Sequence, residues 1–217
     1  MLVKDRMTPN PLTVTLTTPV AEALSFMRQR NVHRLPVLDK KGRLAGIVSE
    51  KDLLYASPSP ATSLSVYEIG YLLSKLKVEE IMSTDVRTIL PQAALEEAAK
   101  VMVDNKIGGL PVVDAEGTLV GIITETDVFK ATIQMLGAGE AGVRMTLHVR
   151  DEPGVLSRVT GAIANIGGDI IALGTLYHTE GVDSTLMLKV RGVEQADLVR
   201  EMEQINTRVV DVRMMAE

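Results

Sequence analysis

The chain has 217 residues, a formal net charge of −5 and no cysteine. The length suffices for one large domain or two smaller ones, each with its own core. The absence of cysteine excludes disulfides, thiol catalysis and cysteine-ligated metal centres. The acidic balance and the 3% aromatic content argue against nucleic acid as a partner. No apolar run is long enough to span a membrane and the N-terminal residues lack a secretory signal, so we expect a cytoplasmic protein without membrane contact.

An internal repeat organises the N-terminal part of the chain. The segment LAGIVSEKDLL (44–54) returns as LVGIITETDVF (119–129), and LPVLD (35–39) returns as LPVVD (110–114). The offset is the same for both pairs, and no gap is needed over roughly 50 residues, so the match is not a chance one. One copy is too small to bury its strands alone, so we expect the two copies to pack face to face.

Both copies have the same predicted order of elements. An extended piece is followed by a helix, an apolar strand, a glycine-containing turn, a second strand and a second helix that begins near Glu50 or Glu125. The first three of these elements span 12–16, 20–30 and 35–39 in copy one and 86–90, 94–105 and 110–114 in copy two, and the second strands span 44–49 and 119–124. Between the copies, a Ser/Pro-rich loop leads into a predicted helix with one apolar face, which we assign to packing or a dimer contact. That face consists of Val66, Ile69, Leu72, Leu73 and Leu76.

The pattern changes after the second copy, which ends near Met135. LGAGEAG (136–142) has the composition of a flexible linker. The following segments are predicted as strand (143–150), helix (155–166), two strands around a turn at Glu180-Gly181 (170–179 and 183–191), helix (194–205) and strand (207–215). This βαββαβ order predicts an antiparallel sheet with two helices on one face.

The predicted fold class is therefore α+β, with mixed α/β repeats that pack as a pseudo-symmetric pair and a ferredoxin-like unit after them. The expected boundaries are about 1–56 for repeat one, 57–77 for a helical insert, about 78–135 for repeat two, 136–142 for the linker and 143–217 for the last unit.

In both copies a hydroxyl residue precedes an aspartate by three positions, as Ser49 and Asp52 and again as Thr124 and Asp127. This spacing is a helix-capping signature, in which the hydroxyl and the carboxylate accept hydrogen bonds from backbone N–H groups. A helix start also suits phosphate, and a carboxylate one turn later can accept the hydroxyls of a ribose. The glycine three positions before each hydroxyl residue would let a ligand approach the strand closely. The pattern itself leaves capping and ligand binding both open.

Three elements that recur in order give the repeats a resemblance to a known family. They are the Met-Thr or Met-Ser start (7–8 and 82–83), the Leu-Pro-Val strand that ends in Asp, and the ending Gly-x-x-[Ser/Thr]-x-x-Asp. On these elements the segment 1–135 resembles a tandem pair of CBS domains. The segment 143–217 resembles an ACT domain, a regulatory fold that often binds amino acids, on DEPGVL (151–156) and NIGGDI (165–170). The whole arrangement is similar to that of AcuB-type acetoin-utilisation proteins.

The resemblance implies a nucleotide site in clefts between the repeats. In CBS pairs the aspartate typically holds the ribose and the hydroxyl contacts phosphate, which implies the first role for Asp52 and Asp127 and the second for Ser49 and Thr124. The residues implied for the base pocket are Thr13, Val14, Thr88, Ile89, Ile47 and Ile122.

The copies differ just before the Leu-Pro-Val strand, where the first has His33-Arg34 and the second has Gly108-Gly109. Arginine and histidine form charge-assisted hydrogen bonds with phosphate, whereas glycine has no side chain. The resemblance implies phosphate contact for this pair, and a solvated turn is the alternative. We expect two unequal clefts, with the more anionic ligand favoured by His33 and Arg34.

In the ACT-like part, the resemblance implies an amino-acid site at a loop and a helix end. Its candidate residues are Asp151, Glu152, Gly154, Val155, Leu156, Asn165, Asp169 and Ile170. The alternative for Asp151 and Glu152 is a favourable charge in the first turn of the following helix.

No signature of catalysis is present. The three histidines, His33, His148 and His178, lie in separate elements, and no metalloprotease, nucleophile-elbow or Walker-A motif occurs. We expect a non-catalytic sensor without cofactor or metal, whose CBS pair binds AMP, ADP or ATP and signals to the ACT unit or a protein target. The expected assembly is a homodimer, and the resemblance implies a role in acetoin metabolism. A dimerising scaffold, an amino-acid sensor and an S-adenosylmethionine binder remain as alternatives.

Overall fold

The computed structural model describes residues 1–56, 75–177 and 183–216. The chain forms two compact units, Met1–Val128 and Phe129–Glu217. His178, the turn at Glu180-Gly181 and most of the apolar face predicted in the insert lie outside the described residues. The one described member of that face, Leu76, packs against the core of the first repeat.

The elements of the repeats follow the predicted order with two differences: the short strand Thr8–Pro9 was not predicted, and the extended piece at 86–90 forms only an isolated bridge at Ile89. In chain order they are β1 (Thr8–Pro9), β2 (Val14–Thr15), α1 (Val20–Arg30), β3 (Arg34–Leu38), β4 (Leu44–Ser49), α2 (Glu50–Tyr55), α3 (Leu95–Asn105), β5 (Gly109–Val113), β6 (Leu119–Thr124) and α4 (Glu125–Met135). Short 3-10 turns at Val3–Asp5 and Val78–Glu80 begin the two repeats. Helix α1 is followed by Asn31 and α3 by the equivalent Lys106, both in the left-handed conformation that commonly terminates helices.

The first segment of each repeat packs on the other repeat. Strand β1 pairs with β6, so that Thr8 lies opposite Ile122, and the equivalent pair with the repeats exchanged, Ser83 and Ile47, forms the same bridge. The sheets are accordingly ordered β2-β3-β4 and β1-β6-β5. The exchange is reciprocal, as the pseudo-symmetry of two copies of one sequence pattern requires.

The exchange also joins the two cores. Val3 is fully buried, and its N–H donates to the carbonyl of Ala93 at 2.9 Å. The N–H of the equivalent Val78 donates to the carbonyl of Thr18, also at 2.9 Å. Val78 belongs to the core of the first repeat although it begins the second repeat in the sequence.

The glycine in each β4 or β6 strand makes room for a methionine of the exchanged segment. A Cβ atom on Gly46 would lie 2.5 Å from Sδ of Met82, and one on Gly121 would lie 2.5 Å from Sδ of Met7. The close approach that these glycines permit is therefore made by the protein itself, where the sequence suggested a ligand.

The second unit confirms the predicted βαββαβ order. Its elements are β7 (Gly142–Arg150), α5 (Val155–Asn165), β8 (Asp169–Tyr177), β9 (Asp183–Arg191), α6 (Gln195–Gln204) and β10 (Arg208–Met215). The strands are antiparallel in the order β10-β7-β9-β8. Alternate residues of β7, from Val143 to Val149, are buried in one core with residues of both helices.

The segment 136–142, for which the composition predicts a flexible linker, forms hydrogen-bonded turns. The amide of Gly137, at φ 64°, donates to the carbonyl of Gln134, and the Gly137 carbonyl accepts from Nζ of Lys189 at 2.8 Å. Lys189 is only 5% exposed. Within the described ranges, no helix has the length and apolar character needed to cross a bilayer.

Candidate functional site

Reciprocal capping at the start of α2 and a matching contact at α4 hold the aspartates in place. The N–H and hydroxyl of Ser49 donate to Oδ2 of Asp52 at 2.8 and 2.7 Å, and the N–H of Asp52 donates to Oγ of Ser49 at 3.3 Å. The N–H and hydroxyl of Thr124 donate to Oδ2 of Asp127 at 2.9 and 2.7 Å. The capping interpretation is confirmed for Ser49, and Thr124 repeats the bonds from the hydroxyl residue to the aspartate.

The cap leaves part of each carboxylate available. Within the described residues, Oδ1 of Asp52 and of Asp127 accepts no hydrogen bond, although each carboxylate oxygen can accept two. The amides at the start of α2 are less available. The N–H of Glu50 donates to the carbonyl of His33 at 2.9 Å, and that of Asp52 is used by the cap. Positive charge for a phosphate must therefore come mainly from side chains.

A cavity of about 500 Å³ lies between the repeats and is lined by residues of both. Five of the residues predicted for the nucleotide site line it: His33, Arg34, Ile47, Ser49 and Asp52. The second repeat contributes Ser83, Asp85, Val86, Arg87, Lys106, Ile107, Gly108, Gly109 and Pro111, and Glu50 and Lys51 complete the lining. We call this cavity the Asp52 cleft. Its volume is typical of sites for small organic ligands.

Arg34 explains why the two copies differ at this position. Its Nη1 donates to the carbonyl of Gly108, and a Cβ atom on Gly108 would collide with the guanidinium. The same added atom would lie 3.0 Å from Oε1 of Glu125. Positions 33–34 and 108–109 meet between the repeats, and the glycines leave the space that the arginine occupies.

His33 lies at the rim of the cleft. Its side chain is 73% exposed, and Nδ1 lies 2.9 Å from Oε2 of Glu50. Nε of Arg28 lies 3.9 Å from the other oxygen of Glu50. His33 and Arg34 thus both have protein partners, which reduces their availability to a phosphate.

Three cations of the cleft were not predicted: Lys51, Arg87 and Lys106. The repeat contained a signal for them, because the equivalent positions of the other repeat hold the uncharged residues Thr126, Leu12 and Asn31. A comparison of charge at every aligned position would have found all three.

The remaining residues predicted for the base pocket do not line the Asp52 cleft. Thr13 and Val14 line a separate cavity of about 400 Å³ beside α1 in the first repeat. Ile89 and Ile122 are buried, with 7% and 9% exposure. Thr88 is exposed outside the cleft.

The candidate amino-acid residues separate into two groups. A cavity of about 250 Å³ is lined by Asp151, Glu152, Gly154, Val155 and Leu156, with Thr175, Ser184 and Leu186 from neighbouring strands. The alternative of a first-turn charge is wrong for Asp151 and Glu152, because α5 begins at Val155 and its first turn holds no acidic residue. Glu152 instead forms an ion pair with Arg158.

The other group lies beyond the far end of the same helix. Asn165 is the last residue of α5, and Asp169 and Ile170 begin β8. A helix of 11 residues is about 16 Å long, so one chain does not bring the two groups into one pocket. Oδ2 of Asp169 accepts from Nε of Arg191 at 2.7 Å.

Comparison with known proteins agrees with this architecture. The CBS domain family matches residues 3–59 and 78–133, and the TTHA0829-like ACT domain family matches residues 141–213. CBSX2 from Arabidopsis thaliana, solved in complex with AMP, is 35% identical with a TM-score of 0.51, over 61% of this chain and 96% of that one. AcuB from Vibrio cholerae, assigned to acetoin utilization, is 37% identical with a TM-score of 0.52, over 63% of this chain and 93% of that one.

A third solved structure is the CBS domain pair of MJ0100 in complex with 5'-methylthioadenosine and S-adenosyl-L-methionine. It is 28% identical with a TM-score of 0.50, over 61% of this chain and 95% of that one. These matches confirm the resemblances found in the sequence. The chain belongs to the CBS domain family, as a tandem CBS pair followed by a TTHA0829-like ACT domain.

Proposed function

We propose that this protein is a non-catalytic sensor that binds an adenosine nucleotide in the Asp52 cleft. The observation that carries the proposal is the cavity of about 500 Å³ that unites the Ser49–Asp52 motif with cationic residues of both repeats. Ribose, phosphate and base each find suitable chemistry there. Oδ1 of Asp52 can accept the ribose hydroxyls while Oδ2 remains in the cap.

The preformed cap favours this arrangement energetically. Because Ser49 fixes the carboxylate of Asp52, little side-chain freedom remains to be lost when a ligand binds. The side chain of Ile47 supplies apolar lining for the base, and the guanidinium of Arg34 has N–H groups beyond the one donated to Gly108.

The solved relatives support the adenosine part of the ligand. CBSX2 has been solved with AMP, and the MJ0100 pair with two adenosine derivatives that lack phosphate. S-adenosylmethionine is therefore the second candidate for this chain. The proposed role in acetoin metabolism rests on the likeness to AcuB alone.

A ligand in this cleft would act on the arrangement of the repeats. Since both repeats line the cavity, the affinity for the ligand depends on how they are placed against each other. A ligand shifts such an equilibrium only by its differential affinity for the two arrangements. We propose that the ACT domain or a protein target responds to this shift in a cytoplasmic homodimer. The cavity at 151–156 makes an amino acid a candidate second ligand.

A thermal-shift panel tests the function. AMP, ADP, ATP, S-adenosylmethionine, NAD and the common amino acids are added to the wild type, Asp52→Ala and Asp127→Ala. A ligand at 100 times its Kd stabilises the native state by about 2.7 kcal/mol. We expect an adenosine ligand to raise the Tm of the wild type and to lose that effect in Asp52→Ala.

The loss of a cap lowers Tm by itself, since capping residues contribute about 1 kcal/mol. The quantity compared is therefore the ligand-induced shift of each protein relative to its own ligand-free Tm. A panel without any adenosine-induced shift would contradict the sensor and favour a dimerising scaffold. A shift caused only by amino acids would favour the ACT domain as the sensor, and turnover of a ligand would indicate an enzyme.

A further inference from the structure

The net positive charge of the Asp52 cleft is not repeated at the equivalent positions on the other side of the pseudo-symmetric pair. The cleft is lined by four cations, Arg34, Lys51, Arg87 and Lys106, and by three carboxylates, Glu50, Asp52 and Asp85, which gives a balance of +1 with His33 neutral. Among the equivalent positions of the pseudo-symmetric partner, only Arg34, Glu125 and Asp127 are charged, which gives −1. None of the four cations of the cleft has a charged counterpart, and Lys51, Arg87 and Lys106 align with Thr126, Leu12 and Asn31.

Two of these cations have the least competition from protein groups. Nη2 of Arg87 lies 4.0 Å from Asp85, at the limit of an ion pair, and the Asp85 side chain is 92% exposed. Lys106 is exposed and forms no ion pair within the described residues. Lys51 differs, because its Nζ lies 5.5 Å from the ring centroid of Tyr55. Arg87 and Lys106 are thus the cations whose charge is most available to a bound anion.

A ligand with a single phosphate would not engage both of these cations. The remaining N–H groups of Arg34 can serve a phosphate next to the ribose that Asp52 holds, whereas the Ser49 hydroxyl already donates its proton to Oδ2 of Asp52. Arg87 and Lys106 come from the other repeat, and further phosphate groups are the natural partners for them. The three carboxylates of the lining also require compensating charge when an anion enters.

We propose that Arg87 and Lys106 make the Asp52 cleft selective for adenosine ligands with two or more phosphates. This inference rests on the proposed function and defines its ligand class. The position equivalent to the cleft, around Thr124 and Asp127, lacks both cations and does not share the preference. The sequence pattern predicted that His33 and Arg34 confer the preference for an anionic ligand, whereas in this proposal Arg87 and Lys106 confer it.

The test exchanges the two cations for the residues of the other repeat, in the double variant Arg87→Leu with Lys106→Asn. Isothermal titration calorimetry measures the Kd of adenosine, AMP, ADP and ATP for the full chain at low and high salt. A control variant, Lys40→Asn with Arg200→Leu, removes the same formal charge at exposed positions outside the cleft lining. Circular dichroism and thermal unfolding verify that both variants fold.

We expect the wild type to bind ATP at least about tenfold more tightly than AMP, which corresponds to about 1.4 kcal/mol. In the double variant this ratio should fall close to one with adenosine affinity unchanged, and in the control it should persist. High salt should reduce the ratio in the wild type because it screens partly exposed charges.

Two results would overturn the inference while leaving the proposed function intact. One is equal affinity of the wild type for AMP and ATP, and the other is an ATP preference that survives in the double variant. If no adenosine ligand binds the wild type, the proposed function is contradicted together with this inference.

Discussion

The contact between Arg34 and Gly108 predicts that these positions are strongly coupled in stability. Gly108→Ala adds a methyl group where the guanidinium lies, so Arg34 must leave the Gly108 carbonyl. The added atom would also lie 3.0 Å from Oε1 of Glu125, but this is the end of a flexible side chain that can shift, and Gly108 is not among the glycines with positive φ. The cost of the substitution should therefore depend on whether Arg34 is present.

The magnitude follows from two opposing contributions. Loss of a hydrogen bond to a charged group costs about 1.5–3 kcal/mol. Replacement of glycine by alanine at a compatible position stabilises by about 0.4–1 kcal/mol through the unfolded state. Gly108→Ala should thus destabilise the wild type by about 1–2 kcal/mol and stabilise Arg34→Ala by the smaller amount. The expected coupling free energy is about 1.5–3 kcal/mol.

Urea unfolding of the wild type, both single variants and the double variant completes the cycle. Far-UV circular dichroism and calorimetry should be combined, and the transitions fitted separately, because a chain with two compact units need not unfold in one step. If Gly108→Ala changes the unfolding free energy equally in the presence and absence of Arg34, the explanation given for the glycine pair is refuted.

Three further predictions concern sites away from the cleft. Gly161 lies in α5, and apart from its chain neighbours and the backbone of its own helix, no atom of the described residues lies within 4 Å of an added Cβ. Gly161→Ala should therefore stabilise the second unit by about 0.5–1 kcal/mol in urea unfolding, and a loss of stability would contradict this. The backbone N–H of Arg43, aided by its guanidinium, lowers the pKa of Asp39 below the usual 3.8. This carboxylate therefore stabilises the fold above its unfolded-state pKa, and the contribution is lost as pH falls through the lower folded value. In Arg43→Thr the backbone N–H remains and the guanidinium is lost, so an NMR titration should give a higher pKa for Asp39, and an unchanged midpoint would count against the contribution of the guanidinium. Lys189→Met should accelerate hydrogen exchange around Gly137, whose carbonyl loses its donor, and unaltered protection would show that the turn is held by other contacts.

Local signals in the sequence predicted the elements well. Helix α1 and strand β4 have the predicted bounds, because the apolar periodicity, Pro19 before the helix and the Gly42 turn before the strand all act over a short stretch of chain. The cap of Asp52 was likewise predictable, since its partner Ser49 is only three positions away.

Contacts between the repeats could not be predicted in the same way. The methionine that fills the space at Gly46 is Met82, and the acceptor of Arg34 is Gly108, which belongs to the other repeat. A glycine in a strand is compatible with a ligand, a bulge or a neighbouring side chain, and only the packing of the repeats distinguishes these possibilities. The cations of the Asp52 cleft have the same origin, because two of them come from the second repeat.

Because the repeats exchange their first segments, the sequence unit that was duplicated and the unit that folds have different boundaries. A fragment cut at the sequence boundaries of one repeat would hold its own start but lack the segment that fills its core, as Val78 does for the first repeat. Two such fragments could complete each other by the same reciprocal pairing that places Thr8 opposite Ile122 and Ser83 opposite Ile47. A fragment that begins at Asn10 and continues through Ser83 would instead contain its complement in one piece. The boundaries of the duplicated sequence therefore differ from those of the folding unit by the length of the exchanged first segment. A single isolated repeat is expected to be stable only as an intertwined dimer.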